Sequence, residues 1–253
     1  MLWLDTVLTV PTMGFRLDPW HGSQDQLFKC VKDVVAKWSK EGVKVELESS
    51  APGHLVVKAA NGYAVIFDVD NIVVQFGYSG TIRDQPGGLA VLEFASEVRP
   101  YSDLLDNIMD AAADILVASQ QSRPGKLHRF GMVANARVDA SNPPPGIETF
   151  LHHLASPWDE GANRFDVSIT ARLPGDDEEG RVMCHHKLES KGEEGSDDLR
   201  VLLDWQLYFA EPRAIPRGKG KCIGMMKPWR ERAVAYFTAF GEGDLNYADS
   251  DGG

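Results

Sequence analysis

Apolar residues recur along the chain with two spacings, which separate helical segments from strands. Ser23 and Gln26 form a capping-box pattern. Apolar residues at helical spacing follow, namely Leu27, Val31, Val34 and Trp38. Together these features predict a first helix that ends near Gly42. The apolar segment from Met1 to Val10 predicts a first strand, because it is short, has no basic region and contains Asp5.

From residue 43 to residue 76 the spacing changes to alternation or to short apolar runs, which are typical of strands. Asn61-Gly62 and Asp70-Asn71 lie where tight turns would join these strands. The pattern therefore predicts an antiparallel meander. A further strand is expected at 89–98 and a second helix at 102–118.

The second half of the chain repeats these signals. The predicted elements are a strand at 127–138, a short helix at 147–154, alternating strands at 165–173, 181–189 and 199–209, and a last helix beginning near Pro228. Because helices and hairpins are grouped without βαβ alternation, we predict an α+β fold with an antiparallel sheet and helices mainly on one face. A loose helix, meander and helix similarity links the two halves.

The chain length fits one domain or two small ones. We predict a single domain over 1–240, with the Pro-rich segment 141–146 as an alternative subdivision and 241–253 as a flexible acidic tail. The formal charge of −11 repels a phosphate backbone over most of the surface. Three scattered cysteines favour a reducing cytoplasm, and no apolar run is long enough for a membrane span. We expect a soluble cytoplasmic protein with no cofactor.

The strongest charge anomaly is a basic segment at 213–232 within this acidic chain. Its cations are Arg213, Arg217, Lys219, Lys221, Lys227, Arg230 and Arg232. Such a cluster can receive an acidic protein surface, a phosphate or an RNA strand. The alternative is a solvated loop before the last helix. Arg123, Lys126 and Arg129 would extend the cluster only if their loop is a spatial neighbour.

Residues 65–73 include Asp68 and Asp70 directly after a predicted strand. This segment resembles the first motif of haloacid-dehalogenase-type phosphatases, in which two aspartates hold magnesium and attack phosphate. The resemblance implies a metal-dependent phosphate-ester hydrolase as an alternative function. However, Ile72 takes the position where that family usually has Thr, and a strand follows instead of a helix. Asp and Asn are also the usual residues of a tight hairpin turn, which we favour here.

Cys184 and His186 offer soft ligands to a metal such as zinc. On a strand they face one way and His185 faces the other, so at most two of the three can share an ion. Because Cys184 and His186 alternate with Val182 and Leu188, they are expected to be a core-facing pair without a metal. No nucleophile elbow, HExxH motif or phosphate-binding loop occurs.

Several segments together resemble a sporadically distributed family of uncharacterised bacterial proteins of about this length. They are the meander at 64–76, the strand at 129–136, the strand at 199–208 and the closing helix with Phe237. The resemblance implies an architecture and no site. We therefore expect a non-enzymatic interaction protein, such as an adaptor, immunity or defence-accessory factor. Its partner would be another protein, bound through the acidic surface or the basic segment, and nucleic acid could bind only at that segment.

Overall fold

The described part of the chain forms one nine-stranded antiparallel sheet, with four α-helices and a separate two-stranded ribbon. The computed structural model describes residues 2–19, 23–40, 42–51, 53–78, 80–84, 90–94, 98–122, 125–155, 165–173, 179–190 and 198–244. The predicted α+β class is therefore confirmed. Among the described residues, no helix is both long and apolar enough to cross a membrane.

The order of elements is nearly the same in the two halves of the chain. The first half contains β1 (Leu8–Leu17), α1 (Gln24–Lys40), β2 (Val45–Ala51), β3 (His54–Ala59), β4 (Tyr63–Phe67), β5 (Asn71–Phe76), the ribbon β6 (Gly80–Asp84) and β7 (Ala90–Phe94), and α2 (Tyr101–Ser122). The second half contains β8 (Lys126–Asp139), α3 (Pro145–Ala155), β9 (Phe165–Leu173), β10 (Gly180–Ser190), β11 (Asp198–Ala214) and α4 (Lys219–Glu242). Each half is thus a strand, a helix, a meander and a helix.

The first strands of the two halves pair at the centre of the sheet. The strand order is β2-β3-β4-β5-β1-β8-β11-β10-β9. In the β1–β8 ladder, Gly14 lies opposite Gly131 and Phe15 opposite Phe130. The segment 141–146 connects β8 to α3 inside the second half. The single-domain assignment stays a prediction, and the sheet runs without a break through both halves.

The helices pack on one face of the sheet because every second strand residue there is apolar. In β1 these residues are Met13, Phe15 and Leu17, all buried. The rings of Phe15 and Phe130 lie 5.6 Å apart, and Trp229 of α4 lies 5.4 Å from Phe130. The opposite surface, which we call the outer face, carries the alternating half-exposed side chains.

Several predicted boundaries need correction. The first strand covers Leu8–Leu17, and the segment before it forms a short 3-10 turn at Trp3–Asp5. Pro11 lies one residue beyond the last β5 partner, Thr12, so its missing N–H breaks no bond of that ladder. The ribbon strand β6 was not predicted, and β7 (Ala90–Phe94) lies within the predicted strand at 89–98, of which 89 and 95–97 are outside the described residues.

The prediction that the last helix begins near Pro228 is wrong. The α4 helix begins at Lys219, and Pro228 lies inside it. The buried residues Cys222, Met226 and Trp229 continue the apolar stripe through the proline. Burial of this stripe against the sheet offsets the cost of about 3 kcal/mol that proline imposes inside a helix. The helix also extends to Glu242, so the tail begins later than predicted, and 245–253 lie outside the described residues.

Candidate functional site

Arginines cluster on the outer face near one end of the central strands. Arg16 of β1 lies directly opposite Arg129 of β8, and Arg129 lies opposite Tyr208 of β11. Tyr208 in turn lies opposite Arg181 of β10. We call these four residues the arginine cluster. Strand alternation places them on the outer face, because Phe15, Phe130, Val182 and Leu207 between them are buried on the helix side.

Neutral oxygen atoms hold the guanidinium of Arg129 in place. Its Nη1 donates to Gln206 Oε1 at 3.0 Å and to Tyr208 Oη at 3.5 Å. Its Nη2 donates to Asn71 Oδ1 at 3.4 Å. Within the described part of the chain, no carboxylate oxygen lies within 4 Å of this guanidinium. The positive charge of Arg129 is therefore oriented by hydrogen bonds without being neutralised in an ion pair.

The ring of Tyr208 lies between two guanidinium groups. The Cζ atom of Arg181 is 5.1 Å from the ring centroid, and that of Arg129 is 5.6 Å away. Both distances are in the range of cation–π attraction. The Tyr208 hydroxyl donates to Gln206 Oε1 at 2.8 Å, which fixes the ring. Two arginines and an amide thus share one aromatic platform on the outer face.

Asp204 is the acidic residue closest to this network on β11. Its Oδ2 accepts a hydrogen bond from Gln206 Nε2 at 2.6 Å. Its Oδ1 is buried, and no donor among the described residues reaches it. Burial raises the pKa of this carboxyl, while Gln206, His185 and Arg129 act in the opposite direction. Asp204 therefore carries its negative charge at a cost; Gln206 links it to Arg129 by hydrogen bonds, and the charge of Arg129 also stabilises the carboxylate electrostatically.

The paired glycines Gly14 and Gly131 have no side chains, so they leave a shallow depression, the low area, on the outer face beside the arginine cluster. Neither residue has a positive φ, so the backbone does not require glycine. A Cβ added at Gly14 would lie 4.0 Å from Val73, and one at Gly131 would lie 3.7 Å from Gln206, so space does not require glycine either. Glycine inside a strand often marks a close approach by a ligand or another chain.

The predicted basic segment is largely helical, and two of its cations bind acids of α2. Lys219 Nζ lies 2.7 Å from both Asp110 and Asp114. Arg230 Nη2 lies 2.5 Å from Asp106. The exposed members are Arg213, Arg217, Lys221 and Lys227. Lys227 also lies 3.8 Å from Glu231, and the end of β11 at Arg213 pairs with β8 at Leu127, which makes residue 126 a spatial neighbour.

Asp68 and Asp70 lie in the predicted tight turn between β4 and β5. The turn is closed by a bond from Asp68 N to Asn71 O at 2.8 Å, which confirms the hairpin. The carboxylate of Asp68 binds His54 at 2.5 Å, and that of Asp70 binds Arg16 at 3.0 Å. The two aspartates therefore bind two different side chains. The hydrolase alternative stays a prediction.

Cys184 and His186 face the helix side, as the alternation predicted, and both are buried. His186 Nε2 lies 2.8 Å from Tyr236 Oη, and its ring stacks on Phe240 at 4.8 Å. Burial raises the pKa of Cys184 to about 12 and lowers that of His186 to about 4. Across the described residues, no group of three or more His, Cys, Asp and Glu side chains is arranged to hold a metal ion.

Sequence reasoning did not identify the arginine cluster as a site. The signal that could have found it is the alternation of arginine with core residues, as in Phe15-Arg16 and Arg129-Phe130. No family model matches this chain, and no match was found among the curated proteins. The resemblance to a family of uncharacterised bacterial proteins therefore stays an expectation.

Proposed function

We propose that the protein is a non-enzymatic cytoplasmic adaptor whose outer face binds an acidic segment of a partner protein. The observation that carries this proposal is the direct opposition of Arg16 and Arg129 in the ladder that joins the two halves. Arg129 contacts no carboxylate of the described chain, although the protein has a net charge of −11. An acidic chain that keeps an unneutralised arginine at the centre of its sheet has a local surface suited to a carboxylate.

The arrangement favours carboxylate recognition for two physical reasons. Like charges directly opposite each other on antiparallel strands destabilise the pair, so a bound anion would relieve the repulsion between Arg16 and Arg129. The planar guanidinium also matches a carboxylate with two parallel hydrogen bonds. A second opposed pair, Arg137 and Arg200, extends the positive charge along the same face. An extended acidic segment could contact both pairs.

Two features favour a protein over a nucleic acid. The charge of −11 repels a phosphate backbone wherever it leaves the local cluster. The aromatic ring of the cluster, Tyr208, contacts arginines on the face where a base would stack. Arginine and tyrosine are enriched in protein interfaces, and the low area at Gly14 and Gly131 would let a partner approach the backbone. The repulsive remainder of the surface would fix the orientation of the partner.

The test is a titration of a fluorescent glutamate-rich peptide into the purified protein, followed by anisotropy. Loss of one charge-assisted contact should weaken binding by about tenfold or more in Arg129→Glu. The matched control is Arg217→Glu, which makes the same charge change at an exposed position of the basic segment. Equal affinities of the wild type and Arg129→Glu, or no binding by the wild type, would contradict the proposal. Tighter binding of an RNA oligonucleotide than of the peptide would also contradict it.

A further inference from the structure

A pocket of about 240 Å³ lies between α1 and α2, on the helix side of the sheet. Its lining includes Val34 and Trp38 of α1, Tyr63 of β4, and Arg99, Asn107 and Ala111 from α2 and the segment before it. The volume has room for about eight water molecules, which matches a ligand of the size of an amino acid. The pocket is separate from the arginine cluster, because Tyr63 faces the helices and the cluster lies on the outer face.

Arg99 is held in this pocket by its backbone and by its side chain. The Tyr78 hydroxyl accepts a bond from Arg99 N at 3.0 Å and donates one to Arg99 O at 3.1 Å. The guanidinium Nη1 donates to Tyr63 Oη at 3.4 Å. Among the residues that the structure describes, no carboxylate lies within 4 Å of the Arg99 guanidinium. The two bonds to Tyr78 hold the backbone of Arg99 in place, and its guanidinium has no acidic partner among the described residues.

Tyr63 adds a second donor beside Arg99. Because its oxygen accepts from Arg99, its proton is directed elsewhere, and Asn107 lines the same pocket. Burial raises the pKa of Tyr63, so the hydroxyl stays protonated at neutral pH. A guanidinium, a phenol and a carboxamide therefore meet in one concave place. Two of these groups are donors suited to an anionic oxygen.

The acidic residues of the same pocket do not neutralise Arg99. Asp110 binds Lys37 at 2.7 Å and also Lys219 at 2.7 Å. Asp114 binds Lys219 at 2.7 Å. These two lysines and two aspartates balance one another at the side of the pocket where α2 meets α1 and α4. The excess positive charge is thus localised at Arg99.

We propose that this pocket binds a small organic carboxylate, with the carboxylate on Arg99 and Tyr63 and the remainder of the molecule against Val34, Trp38 and Ala111. The geometry suits a planar two-oxygen anion, because the guanidinium presents parallel N–H groups. The size limits the ligand to a small acid, of about the size of a hydroxy acid or an amino acid. This site is independent of the protein-binding function proposed above, so each can fail alone.

The probes are lactate and L-serine at millimolar concentration, with chloride and inorganic phosphate at the same ionic strength for comparison. Saturation by lactate or serine should raise the melting temperature by about 3 °C. Arg99→Gln should abolish the shift. Tyr63→Phe should reduce the shift. Because this variant keeps the aromatic ring that packs on Phe76, it tests the carboxylate contact separately from any folding defect in Arg99→Gln. Arg217→Gln is the matched control and should keep the full shift.

Three results would overturn this inference. The first is the absence of any shift with lactate and serine in the wild type. The second is an equal shift with chloride or phosphate, which would show a general anion effect. The third is an undiminished shift in both the Arg99→Gln and Tyr63→Phe proteins, which would place the carboxylate elsewhere. A shift that is specific to carboxylates and is lost in Arg99→Gln supports the site.

Discussion

Arg16 and Arg129 face each other across the ladder that joins the two halves of the sheet. Arg16 is relieved in part by Asp70, whose carboxylate lies 3.0 Å from its Nε. Arg129 has neutral partners only among those the structure describes. Under the proposed function, this asymmetry makes Arg129 the residue expected to contact the carboxylate of a partner. Arg16, which has an acidic partner, can therefore be changed to test whether the opposed arginines stabilise the fold.

The first prediction is that Arg16 contributes little to the stability of the fold. In Arg16→Gln, relief of the repulsion should offset the loss of an ion pair that is exposed and contributes at most about 1 kcal/mol. We expect its melting temperature to stay within about 2 °C of the wild type. Thermal unfolding followed by circular dichroism measures it. A large decrease would show that the opposed arginines stabilise the sheet and are not reserved for a partner.

Gly14 supplies a second prediction. Replacement by Val adds a strand-favouring side chain where Val73, at 4.0 Å from the added Cβ, is the nearest group. The free energy of unfolding should rise by about 0.5–1 kcal/mol, since glycine weakens a strand interior. Affinity for the glutamate-rich peptide should fall, because the side chain fills the low area beside the cluster. A variant that is more stable and binds equally well would argue against approach over Gly14.

The pH dependence of stability should reveal His186. Burial lowers its pKa in the folded protein to about 4, from 6.5 in the unfolded chain. Between these values the unfolded chain binds a proton that the folded protein does not, so stability falls as the pH decreases from 6.5 to 4. The total loss from this group is about 3 kcal/mol. Urea unfolding at several pH values measures the slope.

The comparison for this experiment is His186→Gln, which keeps a polar group near Tyr236 and does not titrate. It should have a shallower slope than the wild type between pH 4 and 6.5. His152→Gln changes an exposed histidine and serves as the matched control. If the slopes of wild type and His186→Gln coincide, His186 does not stay neutral in the folded protein.

The ion pairs between α2 and α4 lead to the fourth prediction. Lys219 bridges Asp110 and Asp114, and its side chain is about one-third exposed. Lys219→Met should therefore lower the unfolding free energy by only about 0.5–1 kcal/mol, and the difference should shrink at high salt. Lys221→Met, two residues away and exposed, should have no measurable effect. A salt-independent loss in Lys219→Met would point to packing of the lysine stem instead.

Much of the fold could be predicted from local signals. One bond of the predicted capping box forms, with Ser23 N donating to Gln26 Oε1 at 3.0 Å. The strands β9 to β11 were found because their apolar residues alternate cleanly. The start of α4 was missed because Pro228 is a common first-turn residue, and only the tertiary packing of Cys222 and Met226 shows that the helix begins earlier.

The candidate site was harder to predict for a physical reason. The arginine cluster is built from residues of β1, β8, β11 and β10, which come together through the register of three ladders. Alternation indicates which face a residue occupies but gives no register between distant strands. The basic segment, in contrast, is contiguous and therefore conspicuous. In the structure Lys219 and Arg230 of that segment bind α2.

Photocrosslinking in the native cell tests most directly whether the outer face binds a partner protein. The photoreactive amino acid is placed at Val133, which lies on the outer face opposite Thr12. The same residue placed at Arg217 reports on the basic segment. If the outer face binds an acidic partner, a protein crosslinks at Val133 through a segment rich in Asp and Glu. This crosslink should be lost when Arg129→Glu is added. Crosslinks confined to position 217, or a Val133 product that Arg129→Glu leaves unchanged, would contradict it.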